Sequence, residues 1–463
     1  MRPSGPARPR RAGSEGMSPF FRELASALRA VPETMRRVFH PGAAPAGDPA
    51  ATRMRRNFLF HLHPIRVRPS TLTVSSTFAL GLCTATLGFL LLVSGLLLMM
   101  VYAPDPARAY ASMQDLAFAL PGGGVVRSLH RLAAHGMVLC AGLHLLRVLF
   151  YSAYRRRELN WFFGLGLLLL TAALSFTGYL LPWDQRAFWA VNVSTSMLEH
   201  VPGGDGLRSM LLGGPEIGAE SLLRFYALHV AILPALLVGL LALHLWRIRK
   251  DGGLAGRDNE EASVPAWPHL VLREALVFLA IVLALTILSA LWDSPLGPPA
   301  DPHRPDNPEK APWYFVWIQE AVSHSALAGG VLLPGILLGL LALLPILDRR
   351  DDGVGRPFSG PAGRRVFLAT IAIALAAGAA LEAWYITTGG WPAHPDLVNP
   401  STGMLALALA AWIVAGVWTG SVRLGMFGAI AVLLAAVLVF TISGVCRGPD
   451  WRFFWPWEEW PGV

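Results

Sequence analysis

Long apolar runs recur along the whole chain, separated by polar stretches that are rich in arginine, glycine and proline. Each run is close to the ~20 residues that a helix needs to cross the hydrocarbon layer of a bilayer. We count nine such runs and predict an all-α, polytopic membrane protein, with a short surface helix at the start of the sixth run. The runs cover about residues 74–101, 129–151, 161–181, 222–246, 269–292, 313–347, 366–388, 404–419 and 424–445.

Polar segments divide the chain into a first half with four runs and a second half with five. A basic extension at 1–56 opens the chain; its first sixteen residues are predicted to be disordered, and 20–39 has the amphipathic pattern of a helix on the membrane surface. No apolar core precedes that helix, so a cleavable secretory signal is not expected. The predicted domains are the extension at 1–56, a four-helix bundle at 57–250, a cytoplasmic linker at 251–268, a second domain at 269–390, and two extra spans with an aromatic tail at 391–463.

Composition and charge agree with a membrane protein. Of the 463 residues, 54% are hydrophobic and 15% are charged. The net charge of +8 could suggest nucleic acid, but the arginines cluster in loops beside apolar runs, which favours a topogenic role. On that rule the N-terminus faces the cytoplasm of a bacterial-type cytoplasmic membrane and the C-terminal tail is external. The three cysteines form no CxxC or CxxCH spacing, so neither a zinc site nor an attached c-type haem is indicated.

Two of the runs carry pairs of histidines. His130 and His144 lie fourteen residues apart in the second run, and His229 and His244 lie fifteen apart in the fourth. Each spacing is about 21–23 Å of helix, close to four turns, so each helix presents two imidazoles on roughly the same face. Both helices run from the outer to the cytoplasmic side, which pairs His130 with His229 near the outer surface and His144 with His244 near the inner. Such pairs would suit two stacked bis-histidine haems.

One histidine in an apolar helix is as readily explained by a hydrogen-bonding neighbour as by a ligand role. Four in two matched pairs favour the ligand role, because ionisable groups at membrane depth are rare and tend to be functional. Glycine permits close backbone approach to a flat ligand, although it is also common in membrane helices for ordinary packing. The glycines concerned are Gly81 and Gly95 in the first run and Gly164 and Gly178 in the third, each pair fourteen residues apart.

Arginines near the histidines are candidates for holding haem propionates. Arg127, Arg147 and Arg249 each lie within one or two turns of a predicted ligand. Topogenic charge is the alternative explanation, and the two roles are compatible.

Two further stretches combine a rigid turn, aromatic rings and carboxylates at the outer interface. They are TGYLLPWDQRAFWAVN at 177–192 and NPEKAPWYFVWIQE at 307–320. An aromatic belt would explain the Trp and Tyr residues but not the carboxylates, which could accept the protons of a quinol. The candidate residues for a quinone site are Tyr179, Asp184, Glu309, Pro312, Trp313, Tyr314 and Glu320.

Together, the histidine pairs and the motifs RSLHR, GYLLPWDQRAFWA and RFYALH closely resemble the cytochrome b/b6 family of quinol-oxidising complexes. The fifteen-residue second spacing is similar to that of the chloroplast-type branch, and KAPWYF in the second half resembles the carboxy-terminal domain of the family, here fused in one chain. The resemblance covers roughly residues 60–390.

The resemblance implies a bundle with two b haems, an outer quinol-oxidation site and an inner quinone-reduction site. It implies an oxidoreductase subunit that is active only within a complex, with bifurcated electron transfer coupled to proton translocation. The implied partners are a Rieske iron–sulfur protein, a c-type cytochrome subunit, quinol, the lipid membrane and a second copy in a homodimer, with no nucleic acid.

Two positions depart from the family pattern. Pro312 stands where the outer-site signature Pro-Glu-Trp-Tyr has Glu, so Glu309 or Glu320 is expected to supply the carboxylate. Ala79 stands where the chloroplast-type branch has a haem-linked cysteine, with Cys83 one turn later, so a covalent third haem is predicted to be absent.

Two other functions stay open at this point. A dihaem, quinone-linked membrane anchor of a dehydrogenase would not need the KAPWYF loop. A haem-free transporter would use its histidines to carry protons.

Overall fold

The protein is helical almost throughout and is described by a computed structural model over residues 17–39, 64–253, 262–305, 307–389 and 397–459. The disorder predicted for the first sixteen residues lies outside these ranges, as does 254–261 of the predicted linker. Within the described part, nine helices are long and apolar enough to cross a membrane, which confirms the predicted number and the all-α class. Spans 1 to 9 are Leu80–Met99, Gly123–Phe150, Glu158–Leu180, Ala219–Lys250, Ala266–Leu291, Ala326–Leu347, Pro361–Thr388, Pro400–Thr419 and Val422–Val445.

Shorter elements connect or precede the spans. Arg66–Val67 pairs antiparallel with Val264–Pro265 and forms a two-stranded sheet. The described α-helices outside the spans are Pro19–Arg29, Val31–Phe39, Val74–Thr77, Ala109–Gln114, Gln185–Ser196, Gly204–Leu212 and Val316–His324. A π-helical segment follows Ala109–Gln114 at Asp115–Ala119, and the 3-10 helices are Pro69–Leu72, Met197–His200, Pro357–Ser359 and Pro449–Trp451.

Two predicted runs differ from the observed helices for local reasons. The first span begins at Leu80 rather than near residue 74, because Phe78 and Ala79 take left-handed backbone conformations that interrupt the helix. The sixth run divides at Ser325, whose backbone is extended and whose side chain caps the following turn through the Ala328 N–H.

Spans 4 and 6 each contain a π-helical turn, at Leu228–Ile232 and Ala326–Leu332. A proline follows each turn at the second position of the next helical segment, Pro234 and Pro334. Proline has no N–H to donate and crowds the preceding turn, so a wider turn before it relieves the clash.

Spans 1 to 4 form the predicted four-helix bundle. Span 1 packs along span 2, span 3 along span 4, and span 2 against span 3, while span 5 lies on the outside of spans 1 and 2. Leu87, Ala133, Met137 and Leu237 lie in the middle of the bundle, between its two ends.

The second half is organised around span 9, which packs against spans 6, 7 and 8. In its most apolar window 67% of the residues are buried, against at most 39% in any other described span. The predicted short helix before the sixth span is present as Val316–His324, which packs against span 9 and buries Glu320 and His324. Its place at the membrane surface stays a prediction.

The N-terminal helix Pro19–Arg29 packs against spans 6, 8 and 9. The Phe20 side chain is only 1% exposed and lies edge-on to Trp412, over the surface left free by Gly416. An amphipathic pattern does not distinguish a membrane surface from a protein groove. The helix is docked against these spans, and its predicted place at the membrane surface stays a prediction.

Candidate functional site

Each of the four predicted glycines lies against one of the four predicted histidines. A Cβ atom added to Gly81 would stand 3.2 Å from His144 Cε1, and one added to Gly95 would stand 3.3 Å from His130 Cε1. On the other helix pair, the matching distances to Cε1 are 3.6 Å from Gly164 to His244 and 2.4 Å from Gly178 to His229. Spans 1 and 3 thus provide flat surfaces that the imidazoles of spans 2 and 4 pack against.

His130 and His229 face each other across the bundle, with ring centroids 6.2 Å apart and planes at 69°. Their Nδ1 atoms are engaged: that of His229 lies 3.1 Å from the Leu174 carbonyl, and that of His130 lies 2.9 Å from Ser94 Oγ. Ser94 uses its own hydroxyl proton on Leu90 O, so its oxygen accepts from His130. Hydrogen bonding at Nδ1 fixes the ring orientation and leaves Nε2 to face the partner helix, an arrangement that is also typical of metal-binding histidines.

His144 and His244 lie at the opposite end of the same bundle and are close enough to interact electrostatically. The π turn at Leu228–Ile232 explains how the unequal spacings still match. One extra residue in that turn lets fifteen residues of span 4 cover the distance that fourteen cover in span 2.

A cavity of about 660 Å³ opens at the end of the bundle that holds His130 and His229. Its walls include both imidazoles, Gly95, Gly178 and Arg127. The same cavity is lined by four residues predicted for a quinone site, which are Tyr179, Pro312, Trp313 and Tyr314. One histidine pair and the aromatic loop therefore share a single space.

Asp184 also lines this cavity, but its carboxylate supports the backbone. One oxygen caps the helix Gln185–Ser196 by accepting from Ala187 N at 2.9 Å, and the other accepts from Gly297 N at 3.0 Å. The adjacent Gln185 N–H donates to Pro298 O. The loop after span 3 is therefore held against the loop after span 5.

Neither Glu309 nor Glu320 is among the described residues that line the cavity. Glu320 is fully buried beside the end of span 9, where Arg447 pairs with its carboxylate and the Trp451 indole N–H donates to it at 2.9 Å. Burial by itself would raise the pKa of Glu320, but hydrogen bonds from His324 and Arg447 hold it at about 2. The expectation that Glu320 contacts quinol is therefore not supported by its position.

Two of the three predicted propionate arginines, Arg127 and Arg147, contact backbone carbonyls in the structure. Arg127 donates to Ser294 O and Pro295 O, both at 2.7 Å. Arg147 donates to Ser76 O and lies over the Tyr151 ring, 4.6 Å from its centroid. Arg249 lies in the last turn of span 4. Their role toward a haem stays a prediction.

His135 lines the same cavity and was not among the predicted residues. Its Nδ1 lies 3.2 Å from the Trp313 indole nitrogen, and its ring centroid lies 5.7 Å from that of Tyr314. The one signal for it in the sequence is a third histidine in an apolar span that already holds two.

Residues 135–299 match the family model described as "Cytochrome b(N-terminal)/b6/petB". The cytochrome b subunit of the cytochrome bc complex of Chlorobaculum thiosulfatiphilum is 34% identical over 270 residues, which are 56% of this chain and 63% of that subunit. This chain thus spans less than two thirds of the length of that relative.

Two shorter relatives are covered almost completely. The menaquinol:cytochrome c reductase cytochrome b subunit of Geobacillus thermodenitrificans is 38% identical over 204 residues, 43% of this chain and 91% of that one. Cytochrome b6 of Heliobacterium mobile is 40% identical over 192 residues, 41% of this chain and 88% of that one.

Among solved structures, a chain of a hyperthermophilic respiratory complex III superposes with a TM-score of 0.60 at 21% identity. The match covers 85% of this chain and 95% of that one. At this identity the likeness supports the fold.

Proposed function

The chain belongs to the cytochrome b/b6 family, and we propose that it is the cytochrome b subunit of a bc-type quinol oxidoreductase complex. In this proposal quinol is oxidised at the cavity that holds His130 and His229, on the outer side of the membrane. One electron passes to a Rieske iron–sulfur partner and the other crosses the bundle toward an inner quinone site. Proton release outside and uptake inside then contribute to a transmembrane gradient.

The observation that carries this proposal is the shared cavity. A histidine pair backed by glycines and a loop of aromatic side chains border the same 660 Å³ space. A dehydrogenase anchor needs no such loop, and a proton-carrying transporter needs no glycine behind each imidazole.

Family membership implies binding of haem b, and the geometry of His130 and His229 fits an iron between them. An iron bound to both rings at a metal–nitrogen distance of about 2 Å would place the ring centroids about 6 Å apart, since each centroid lies about 1 Å beyond its nitrogen. The observed separation is 6.2 Å. We propose His130 and His229 as axial ligands of one haem and His144 and His244 as ligands of a second.

Bound haems would supply one-electron transfer between the two ends of the bundle, about 20 Å apart by helix rise. The protein contributes ligand orientation through Ser94 and Leu174, and flat packing surfaces through the glycines. Arg127, Arg147 and Arg249 are proposed to pair with the propionates.

Quinol would bind beside Tyr179, Trp313 and Tyr314, whose rings offer stacking surfaces and whose polar atoms offer hydrogen bonds. Pro312 shapes this wall. A c-type cytochrome subunit and a second copy of the chain are further proposed partners. The N-terminus is placed in the cytoplasm and the tail outside, following the arginine distribution.

The test is to purify the complex that forms around this chain and record its dithionite-reduced minus oxidised spectrum. We expect b-type bands, co-purifying iron–sulfur and c-type subunits, and reduction of a c-type cytochrome when a quinol analogue is added. A spectrum without b-type bands would contradict the proposal and favour a transporter.

A further inference from the structure

We propose that His135 accepts a proton from quinol in the cavity shared with His130 and His229. This inference rests on the proposed function, because it assigns one step of quinol oxidation to a residue of this chain. Three observations support it: the position of His135, the existing hydrogen bonds or other roles of the remaining bases in the cavity, and the two hydrogen-bond donors that face the His135 ring.

His135 stands where a quinol bound against the aromatic loop would reach it. The half-buried ring comes from span 2, lines the cavity, and lies beside Trp313 and Tyr314 of the loop before span 6. Tyr179 of span 3 lines the same space. A general base must be within hydrogen-bond reach of the proton that it takes, and this wall meets that requirement.

The other possible bases that line the cavity already accept hydrogen bonds or have another proposed role. The only carboxylate among its described lining residues is that of Asp184, and each of its oxygens accepts a backbone N–H. His130 and His229 are the proposed haem ligands. The lining tyrosines are phenols with an ordinary pKa of about 10, so they donate rather than accept near neutral pH. Among these lining residues, that leaves His135 as the base for a quinol hydroxyl.

The hydrogen bonds around His135 leave one donor displaceable. The Trp313 N–H points at Nδ1 from 3.2 Å and the Arg131 Nε–H at Nε2 from 3.4 Å. A neutral imidazole has one nitrogen lone pair in the ring plane, so it accepts from one of these donors at a time. A quinol hydroxyl that displaces the donor facing the lone-pair nitrogen can hydrogen-bond to that nitrogen and transfer its proton to it.

In the proposed step one O–H bond of the quinol breaks. The proton moves to the imidazole nitrogen, and the electron pair stays on the oxygen as a quinolate anion. Arg131, on the same helix, is the charged residue whose contact with the ring is described, and Trp313 and Tyr314 are its neutral neighbours. The other charged residues that line the cavity are Arg127, Asp184 and Arg186, and Tyr179 also lines it. Arg131 is exposed and repels an imidazolium, so the proton is expected to leave toward the outer water rather than remain on His135.

The test uses the purified complex with His135→Gln, which keeps a hydrogen-bonding side chain but removes the base. With a short-chain quinol analogue we expect kcat to fall about 100-fold, with KM and the haem spectrum little changed and the pH dependence of kcat flattened. His135→Glu restores a base and is expected to recover part of the rate, with the pH profile moved to more acid values. His200→Gln is the matched control, since His200 is exposed and is not among the lining residues.

A His135→Gln complex that oxidises quinol at the wild-type rate with an unchanged pH profile would overturn the inference and leave the proposed function standing. If His135→Gln loses haem, His135→Glu decides: an acid-shifted profile supports the inference, and an unshifted profile contradicts it. A wild-type complex that holds haem but oxidises no quinol would instead refute the proposed function.

Discussion

Four glycines determine where the four central imidazoles can lie. At Gly178 an added Cβ would stand 2.4 Å from His229 Cε1, well inside van der Waals contact, so alanine there forces the ring or the helix to move. These glycines are important because they have no side chain and so leave room for the imidazole rings, and not because their backbone is flexible.

Gly178→Ala is therefore expected to displace His229. It should shift the midpoint potential of one b haem or abolish its signal, and overpacking should lower the free energy of unfolding by about 1–3 kcal/mol. Redox titration of the absorbance bands is the measurement. Gly239→Ala in span 4 is the control, because an added Cβ there meets open space. Identical titrations for the two variants would contradict this packing argument.

At the residue scale, regular spacing was what made prediction possible. Histidine and glycine pairs fourteen or fifteen residues apart repeat with the helix, so their faces could be assigned from the sequence. The partner of Glu320 is Arg447, 127 residues later, and no local pattern connects them. His135 was missed because it does not share the spacing of the paired histidines.

At the scale of elements, a π turn reconciles the two helices that carry the histidines. Without the extra residue at Leu228–Ile232, His229 and His244 could not both stand opposite the histidines of span 2. The different spacings of the two histidine pairs, fourteen and fifteen residues, can be counted in the sequence. The wide turn before Pro234 that explains the difference depends on backbone geometry, which a hydropathy pattern does not predict.

A buried ion pair near one end of span 9 is linked to the first half of the chain by a tyrosine hydrogen bond. Arg423 Nε lies 2.7 Å from Asp348 Oδ2, and the Tyr154 hydroxyl donates to the same oxygen at 2.7 Å. Arg423 is 2% exposed and Asp348 is fully buried. Arg423 is therefore a buried packing residue in the first turn of span 9.

Asp348→Asn is expected to lower the free energy of unfolding by about 3–5 kcal/mol, because it leaves a buried guanidinium without a counter-charge. Chemical unfolding in detergent is the measurement. Asp351→Asn is the matched control: that side chain is half exposed and its ion pairs with Arg155 and Arg156 are worth about 0–1 kcal/mol. An equal decrease in the free energy of unfolding in the two variants would refute the distinction between the buried and the exposed ion pair.

At the scale of the whole molecule, a buried cluster links the helix Val316–His324, span 7 and the end of span 9. His324 Nε2 lies 3.2 Å from Glu382 Oε1 and 3.6 Å from Glu320 Oε1, and Arg447 pairs with Glu320. Two carboxylates balance one guanidinium and one imidazolium. Burial by itself would lower the pKa of His324, but the two carboxylates raise it above 6.5.

This cluster makes stability depend on pH in both directions. Because the pKa of His324 is raised by folding, its protonation contributes to the free energy of unfolding. This contribution is complete below about pH 6.5 and is lost as the pH rises through the pKa of the folded state. Because the pKa of Glu320 is lowered by folding, its ionised carboxylate also contributes to the free energy of unfolding. This contribution is present above pH 4.5 and is lost as the pH falls toward about 2. Thermal unfolding should show the alkaline decline in the wild type and a weaker one in His324→Gln. An equal alkaline decline in both would exclude His324 as its origin.

The order of the spans, the bundle and its histidine pairs could be read from the sequence, since long apolar helices and their spacing are local properties. What the last two spans do could not. The packing of span 9 against spans 6 and 7 and the docking of Pro19–Arg29 onto spans 6, 8 and 9 are contacts between segments far apart in the sequence. The buried cluster around Glu320 likewise joins residues that are far apart in the sequence.

The account depends most on two haems held by two histidine pairs within one bundle. The most direct measurement is the number of b haems per chain in the purified complex, determined for the wild type and for His144→Ala. We predict two haems in the wild type and one in His144→Ala, the remaining haem being the one at His130 and His229. Two haems in the variant, or none in the wild type, would contradict the account.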